Sequence, residues 1–237
     1  MLGLSLVVGL LPGLTWLLFY LREDGKKEPA FAVIRTFVAG ALAAFAALGV
    51  QLVIRGQLSG DDLGIATSDH AFLFAFTEEV AKFVAAYMAV RFTKAFDEPV
   101  DAILYPVIAA LGFASVENIA VSHLLLSGGN LAGAFEVITL RFVGATLVHS
   151  VASGTMGYFW GRSLLRTGHG YGILIGIAAA TALHGAFNIL ILSFGNTAYT
   201  FAFLVGAVLL VLFDFRELRD EESALGFTHS PPPLPRA

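Results

Sequence analysis

Four short segments of this chain hold residue types suited to hydrolysis or proton transfer. TEEVAK (77–82) sets Glu78 and Glu79 side by side, with Lys82 four and three residues further on. On a helix that spacing lets the ammonium reach either carboxylate. The two glutamates point about 100° apart, so one can line a cavity while the other pairs with Lys82. FASVEN (113–118) supplies Glu117 with Asn118 beside it, and RFVGATLVH (141–149) supplies Arg141 and His149 on a stripe with the small Gly144 and Ala145. HGAFN (184–188) puts His184 and Asn188 one turn apart.

The elements that must position these residues are membrane helices. The chain has 237 residues, of which 57% are hydrophobic and 14% charged, with a mean hydropathy of +0.79. Soluble domains run to about 25% charged residues, so this composition excludes a water-soluble globule. A net charge of −4 leaves no basic stripe, and nucleic acid is not an expected partner. The absence of cysteine excludes disulfides, Cys–zinc sites and a thiol nucleophile.

Apolar stretches of spanning length fall at 2–21, 30–54, 70–92, 100–126, 133–161, 171–194 and 197–213. The expected fold is an all-α membrane protein of seven helices. The first stretch lacks a basic n-region and a small-residue cleavage site, so it reads as a retained helix. Residues 1–213 form the expected membrane domain. The tail, 214–237, is charged and then Pro-rich (HSPPPLPRA, 229–237), and is expected to be mobile. Arg22, Lys26, Lys27, Arg91, Lys94, Arg162, Arg166, Arg216, Arg219 and Arg236 fall on one set of loops and the tail, and Arg55 alone on the other. The positive-inside bias therefore places the amino terminus outside and the tail in the cytoplasm.

An unpaired charge at the bilayer centre costs about 2.5–3.5 kcal/mol. For Glu78, Glu79, Lys82, Glu117 and Arg141 together the loss would be about 12–17 kcal/mol, so they must face one another inside the bundle. At about 1.5 Å per residue, Glu78, Glu79, Glu117 and His184 reach roughly 12–15 Å below the outer boundary, with His149 at about 20 Å. His70 and His123 read as packed core histidines. No HExxH zinc motif occurs, and Asp97, Asp101 and Asp214 all sit at cytoplasmic ends, which leaves no mid-membrane aspartyl pair. A dyad of Ser153 with His149 or His184 is weakly signalled, because small residues are common packing elements. A proton-coupled transporter or channel would use the same Glu/His/Lys cluster, and a scaffold could use it as glue.

EExxK, FxxxEN, a mid-helix His and HxxxN occur here in that order, preceded by the charged, EP-containing REDGKKEP (22–29). The set resembles the PrsW family of intramembrane proteases, related to the CAAX-prenyl-protease and bacteriocin-processing membrane peptidases, over residues 10–195. The resemblance implies hydrolysis of single-pass, membrane-anchored proteins in the bilayer of a bacterial plasma membrane. In bacterial members that means site-1-type cleavage of an anti-sigma factor on its extracytoplasmic side. Glu78 or Glu79 would be the general base and Lys82 would hold the other ionised. His149, His184 and Asn188 would stabilise the oxyanion, with Asn118 and Arg141 in support.

A zinc ion is the alternative, since family members are often grouped as metalloproteases. Its ligands would come from Glu78, Glu79, Glu117, His149 and His184, of which a catalytic site needs three. No two of these histidines share a turn and Lys82 sets a competing cation beside the glutamates, so the residues alone lean to metal-free chemistry. The orientation is tested in this thiol-free chain by cysteine labelling. Gly129→Cys is expected to label from outside intact cells and Gly168→Cys only from within, and outside labelling of the latter overturns the topology.

Overall fold

In the computed structural model the described residues are 1–23, 26–58, 70–167, 171–194 and 197–224. Gly168 and the HSPPPLPRA segment lie outside them. The described residues form helices α1 (Leu2–Glu23), α2 (Ala30–Leu58), α3 (Ala71–Val90), α4 (Asp101–Ser127), α5 (Leu131–Val143), α6 (Ala145–Thr167), α7 (Gly172–Phe194) and α8 (Thr197–Ala224). The all-α membrane architecture expected from composition is what the chain adopts. Five helical runs among the described residues are long and apolar enough to cross a membrane: 2–22, 30–56, 101–127, 131–166 and 172–191. Helix α3 has 20 residues, but Glu78, Glu79 and Lys82 interrupt its apolar character.

Helix α4 is the axis of the bundle. It packs against α1, α2 and α6. Ile103, Leu104, Val107, Ile108 and Leu111 are wholly buried, as suits a helix apolar on every side. The lipid-facing helices approach it through glycine. A Cβ at Gly40 of α2 would lie 1.9 Å from the Ala109 carbonyl oxygen, and one at Gly112 of α4 would lie 2.0 Å from that of Phe37. The α2–α4 crossing is thus a backbone-to-backbone contact of the kind that small residues permit in membranes.

The sequence pattern suggests one fifth span over 133–161, and the structure keeps that run and adds a break inside it. The run starts at Leu131 and is broken at Gly144 into α5 and α6. Gly144 adopts φ −104° and ψ −93°, away from helical values, and Trp16 Nε1 donates to the Phe142 carbonyl at the break, 2.9 Å away. Hydropathy does not register a glycine kink whose immediate neighbours, Phe142, Val143 and Ala145, are apolar. Helix α8 carries the chain past Asp214 to Ala224, with Phe215 and Leu218 buried. Arg162 and Arg166 of α6 hold its end through Glu217 and Glu221.

Gly40→Leu and Gly112→Leu are each expected to destabilise the protein by about 1–3 kcal/mol or more, since the α2–α4 backbones must separate. Gly49→Ala has nothing within 4 Å of the new Cβ and is expected to be neutral or stabilising by up to about 1 kcal/mol. Thermal unfolding in detergent measures both.

Candidate active site

Helix α3 brings its polar turn against α4, α6 and α7. Lys82 is completely buried, and its Nζ donates to Glu79 Oε1 at 2.5 Å and to His149 Nδ1 at 3.0 Å. Glu79 is equally enclosed. Its Oε1 also faces His184 Nδ1 at 2.8 Å, and Ser153 Oγ donates to its Oε2 at 3.1 Å. Both oxygens of Glu79 are thus committed to partners.

On the other side, Glu117 Oε2 lies 3.0 Å from His149 Nε2 and accepts from Arg141 Nη2, also at 3.0 Å. Arg141 Nε donates to Asn118 Oδ1 at 2.6 Å, and Asn118 Nδ2 donates to Thr146 Oγ1 at 2.9 Å. The break at Gly144 makes this possible, because it lets Arg141 of α5 and His149 of α6 converge on one carboxylate.

These partners fix the imidazole tautomers. An ammonium only donates, so His149 Nδ1 must accept from Lys82 and Nε2–H donates to Glu117. His184 Nδ1 faces an acceptor-only carboxylate, so it carries the proton and leaves the Nε2 lone pair free. Both of these acceptor nitrogens lie near Glu78. His149 Nδ1 is 3.9 Å and His184 Nε2 is 3.8 Å from Glu78 Oε2, a buried oxygen with no hydrogen-bond partner among the described residues. Glu78 Oε1 accepts instead from Gln51 Nε2 of α2 at 2.9 Å.

One ligand atom from each of Glu78, His149 and His184 lies within 4.8 Å of the others. Two histidines and a glutamate are a donor set that catalytic zinc accepts. Each histidine also gives its second nitrogen to a carboxylate, Glu79 or Glu117, the usual outer support of a metal ligand. With an orphaned carboxylate oxygen between them, these residues fit a divalent metal. The one opposing feature is Lys82, which already occupies the His149 lone pair.

A cavity of about 370 Å³ reaches this cluster between α2 and α4, past Phe45, Leu48, Val116 and Ala120. Phe45 and Leu48 are largely exposed, so the mouth opens on the lipid-facing side. Glu117 exposes 32% of its side chain and Glu78 11%, against 1% for Glu79.

The sequence-selected residues Glu78, Glu79, Lys82, Glu117, Asn118, Arg141, His149 and His184 thus meet in one network. Asn188 is half-buried one turn beyond His184, and no hydrogen bond joins it to that network. His70 stacks on Phe74 and His123 approaches Ser5, both away from the cluster. Sequence reasoning missed Gln51 and Thr146. Gln51 is the only polar residue between 37 and 54, a signal that attention to ionisable groups passes over. Ser153 enters as a hydrogen-bond donor to Glu79, not as a nucleophile beside a base.

The sequence model of a family described as "PrsW family intramembrane metalloprotease" matches residues 28–213. The chain is 30% identical to the protease PrsW of Geobacillus kaustophilus (strain HTA426), over 92% of this chain and 91% of that protein. It is 28% identical to that of Oceanobacillus iheyensis, over 81% of this chain and 84% of the relative. With the protein of that name from Bacillus subtilis (strain 168) identity is 27%, again over 81% and 84%. No solved structure matches the chain at a significant level.

Lys82→Met strands Glu79 and is expected to cost about 3–5 kcal/mol, as when one partner of a buried ion pair is removed. The double variant Glu79→Gln, Lys82→Met is expected to recover part of that loss. Unfolding midpoints of the three proteins measure the difference, and equal stability of wild type and Lys82→Met would show that the pair is not holding the site.

Proposed function

The chain belongs to the PrsW family of intramembrane metalloproteases, and from that premise we propose that Glu78, His149 and His184 form the centre of its peptide-hydrolysing site. The protein is an integral membrane protease, and its curated relatives are bacterial. The observation that carries the assignment is the unpartnered Glu78 Oε2, 3.9 Å from His149 Nδ1 and 3.8 Å from His184 Nε2.

In this reading the three residues hold a divalent metal, zinc by the chemistry of the set. Such an ion supplies Lewis acidity for activating water and polarising the scissile carbonyl. Glu79 is the paired, enclosed carboxylate that keeps His184 oriented. Glu117 orients His149 with one oxygen, and as the most exposed carboxylate of the cluster it takes the proton of the attacking water and returns it to the leaving amine. Arg141 keeps that carboxylate ionised.

A metal-free reading is favoured by one observation, the Lys82 ammonium on His149 Nδ1. There Glu78 is itself the base, because Glu79 has no oxygen to spare, and His184 would have to carry a second proton, at Nε2, to donate to the oxyanion beside Asn188. The substrate in either case is a single-pass protein of a bacterial plasma membrane, cut in the outer half of the bilayer. Site-1-type cleavage of an anti-sigma factor is the example the family suggests. Proteolysis leaves the transporter or channel reading of the cluster without support.

Detergent-purified protein is expected to cleave members of a panel of single-pass membrane peptides. Glu78→Gln is expected to lower that cleavage at least about 10²–10⁴-fold, and Glu117→Gln to be harmful as well. Elemental analysis is expected to find about one zinc per chain, lost with activity in chelator, restored by add-back, and absent in His149→Ala and His184→Ala. Cleavage that persists in chelator without metal selects the glutamate mechanism, and wild-type cleavage by Glu78→Gln overturns both.

A further inference from the structure

Gln51 stands alone among the polar groups on the lipid-side wall of the cluster. From 37 to 54 every other residue of α2 is apolar or glycine, and the helix runs with most of its surface outward. Gln51 nevertheless turns its amide inward, to Glu78 Oε1 at 2.9 Å. A carboxylate oxygen selects the N–H end of an amide, so the hydrogen bond has one direction.

That bond decides which way Glu78 faces. The terminal torsion of a glutamate is broad and nearly two-fold, so rotamer preference alone does not fix the carboxylate plane. The other polar atoms near it, His149 Nδ1 and His184 Nε2, stand 3.9 and 3.8 Å from Oε2, beyond hydrogen-bond length. With Oε1 held from α2, Oε2 is left bare between the two histidines. Gln51 also borders the cavity between α2 and α4, directly beside Glu78.

We propose that Gln51 is a positioning residue that sets the orientation of the Glu78 carboxylate, anchoring one oxygen so that the other points between His149 and His184. It acts through Glu78 and has no contact of its own with either histidine. The proposal rests on the protease reading for its consequence in catalysis, while its geometric content stands on the hydrogen bond alone.

The test uses Gln51→Met, which keeps the length and removes the N–H. Turnover is expected to fall about 10–100-fold, the usual loss for an outer partner of a site ligand, with KM unchanged, because the substrate contacts are untouched. Affinity for cobalt(II), a visible-spectrum reporter at the same ligands, is expected to fall by a similar factor with an altered spectrum. The unfolding midpoint of the metal-free protein is expected to stay at the wild-type value. If Gln51→Met folds poorly, Gln51→Leu also lacks a donor at that position, suits the apolar helix, and is expected to show the same losses.

Wild-type turnover and cobalt affinity in these variants overturn the proposal. So does a rise in KM alone, which would make Gln51 a substrate contact, or a loss matched by a lowered midpoint in both variants. A wild-type protein that cleaves nothing defeats the protease reading, and cobalt affinity then judges Gln51. A wild type that cleaves but binds no cobalt leaves turnover to judge it, and one that does neither defeats both.

Discussion

The buried Lys82 ammonium governs the rest of the site. An ion withdrawn from water loses several kcal/mol of solvation, and only close, well-aligned partners return it. Lys82 is wholly enclosed, so Glu79, one turn back, is drawn to it and stays there. Once Glu79 is committed, the two adjacent glutamates cease to be equivalent. Glu79 becomes the anchor for His184 and Ser153, and Glu78, rotated about 100° around the helix, is the one left with a bare oxygen. A motif that reads as two interchangeable carboxylates is resolved by one cation.

The same demand shapes the backbone around Glu117. Its charge needs a cation and a donor from the opposite wall, and both Arg141 and His149 lie on the run from 131 to 167. Eight residues apart on an unbroken helix, they would stand about 12 Å apart along the axis. The interruption at Gly144 redirects the chain between them, so that both reach the same oxygen. Asn118 then bridges the two pieces, accepting from Arg141 of α5 and donating to Thr146 of α6. The kink and the polar clamp are one feature.

Much of this was legible in the sequence because low dielectric leaves few options. Ionisable residues at matching depth on several apolar segments must meet, and the spacing of TEEVAK already allowed the Lys82–Glu79 pair. What the pattern could not carry was anything that depends on a neutral amide or on a bend among apolar residues. Gln51 has no charge to force a partner, and Gly144 sits among residues that look the same to hydropathy whether the helix is straight or broken. Asn188 shows what spacing alone leaves open. Its spacing from His184 suggested a shared cavity, yet it stays outside the hydrogen-bonded network, because sharing a helix face does not fix how far inward each side chain points.

Exposure arranges these groups in a sequence that bears on how a peptide could be hydrolysed inside a bilayer. Lys82 and Glu79 are sealed, the two histidines nearly so, Glu78 is largely enclosed, and the accessible surface belongs to Glu117 and Arg141. The sealed pair sets the field, and Glu117, with Arg141 beside it, is the carboxylate best placed to trade protons with water or an amine. The cavity that exposes them is apolar along α2 and α4, so a peptide segment arriving there loses little hydrophobic contact. Its backbone polar groups are another matter, since in lipid they find no water. Among the described residues the polar groups lining that cavity, besides Gln51 with its amide turned to Glu78, are Glu78, Glu117 and Arg141, so the proposed site is itself the place where an unwound backbone would satisfy its hydrogen bonds.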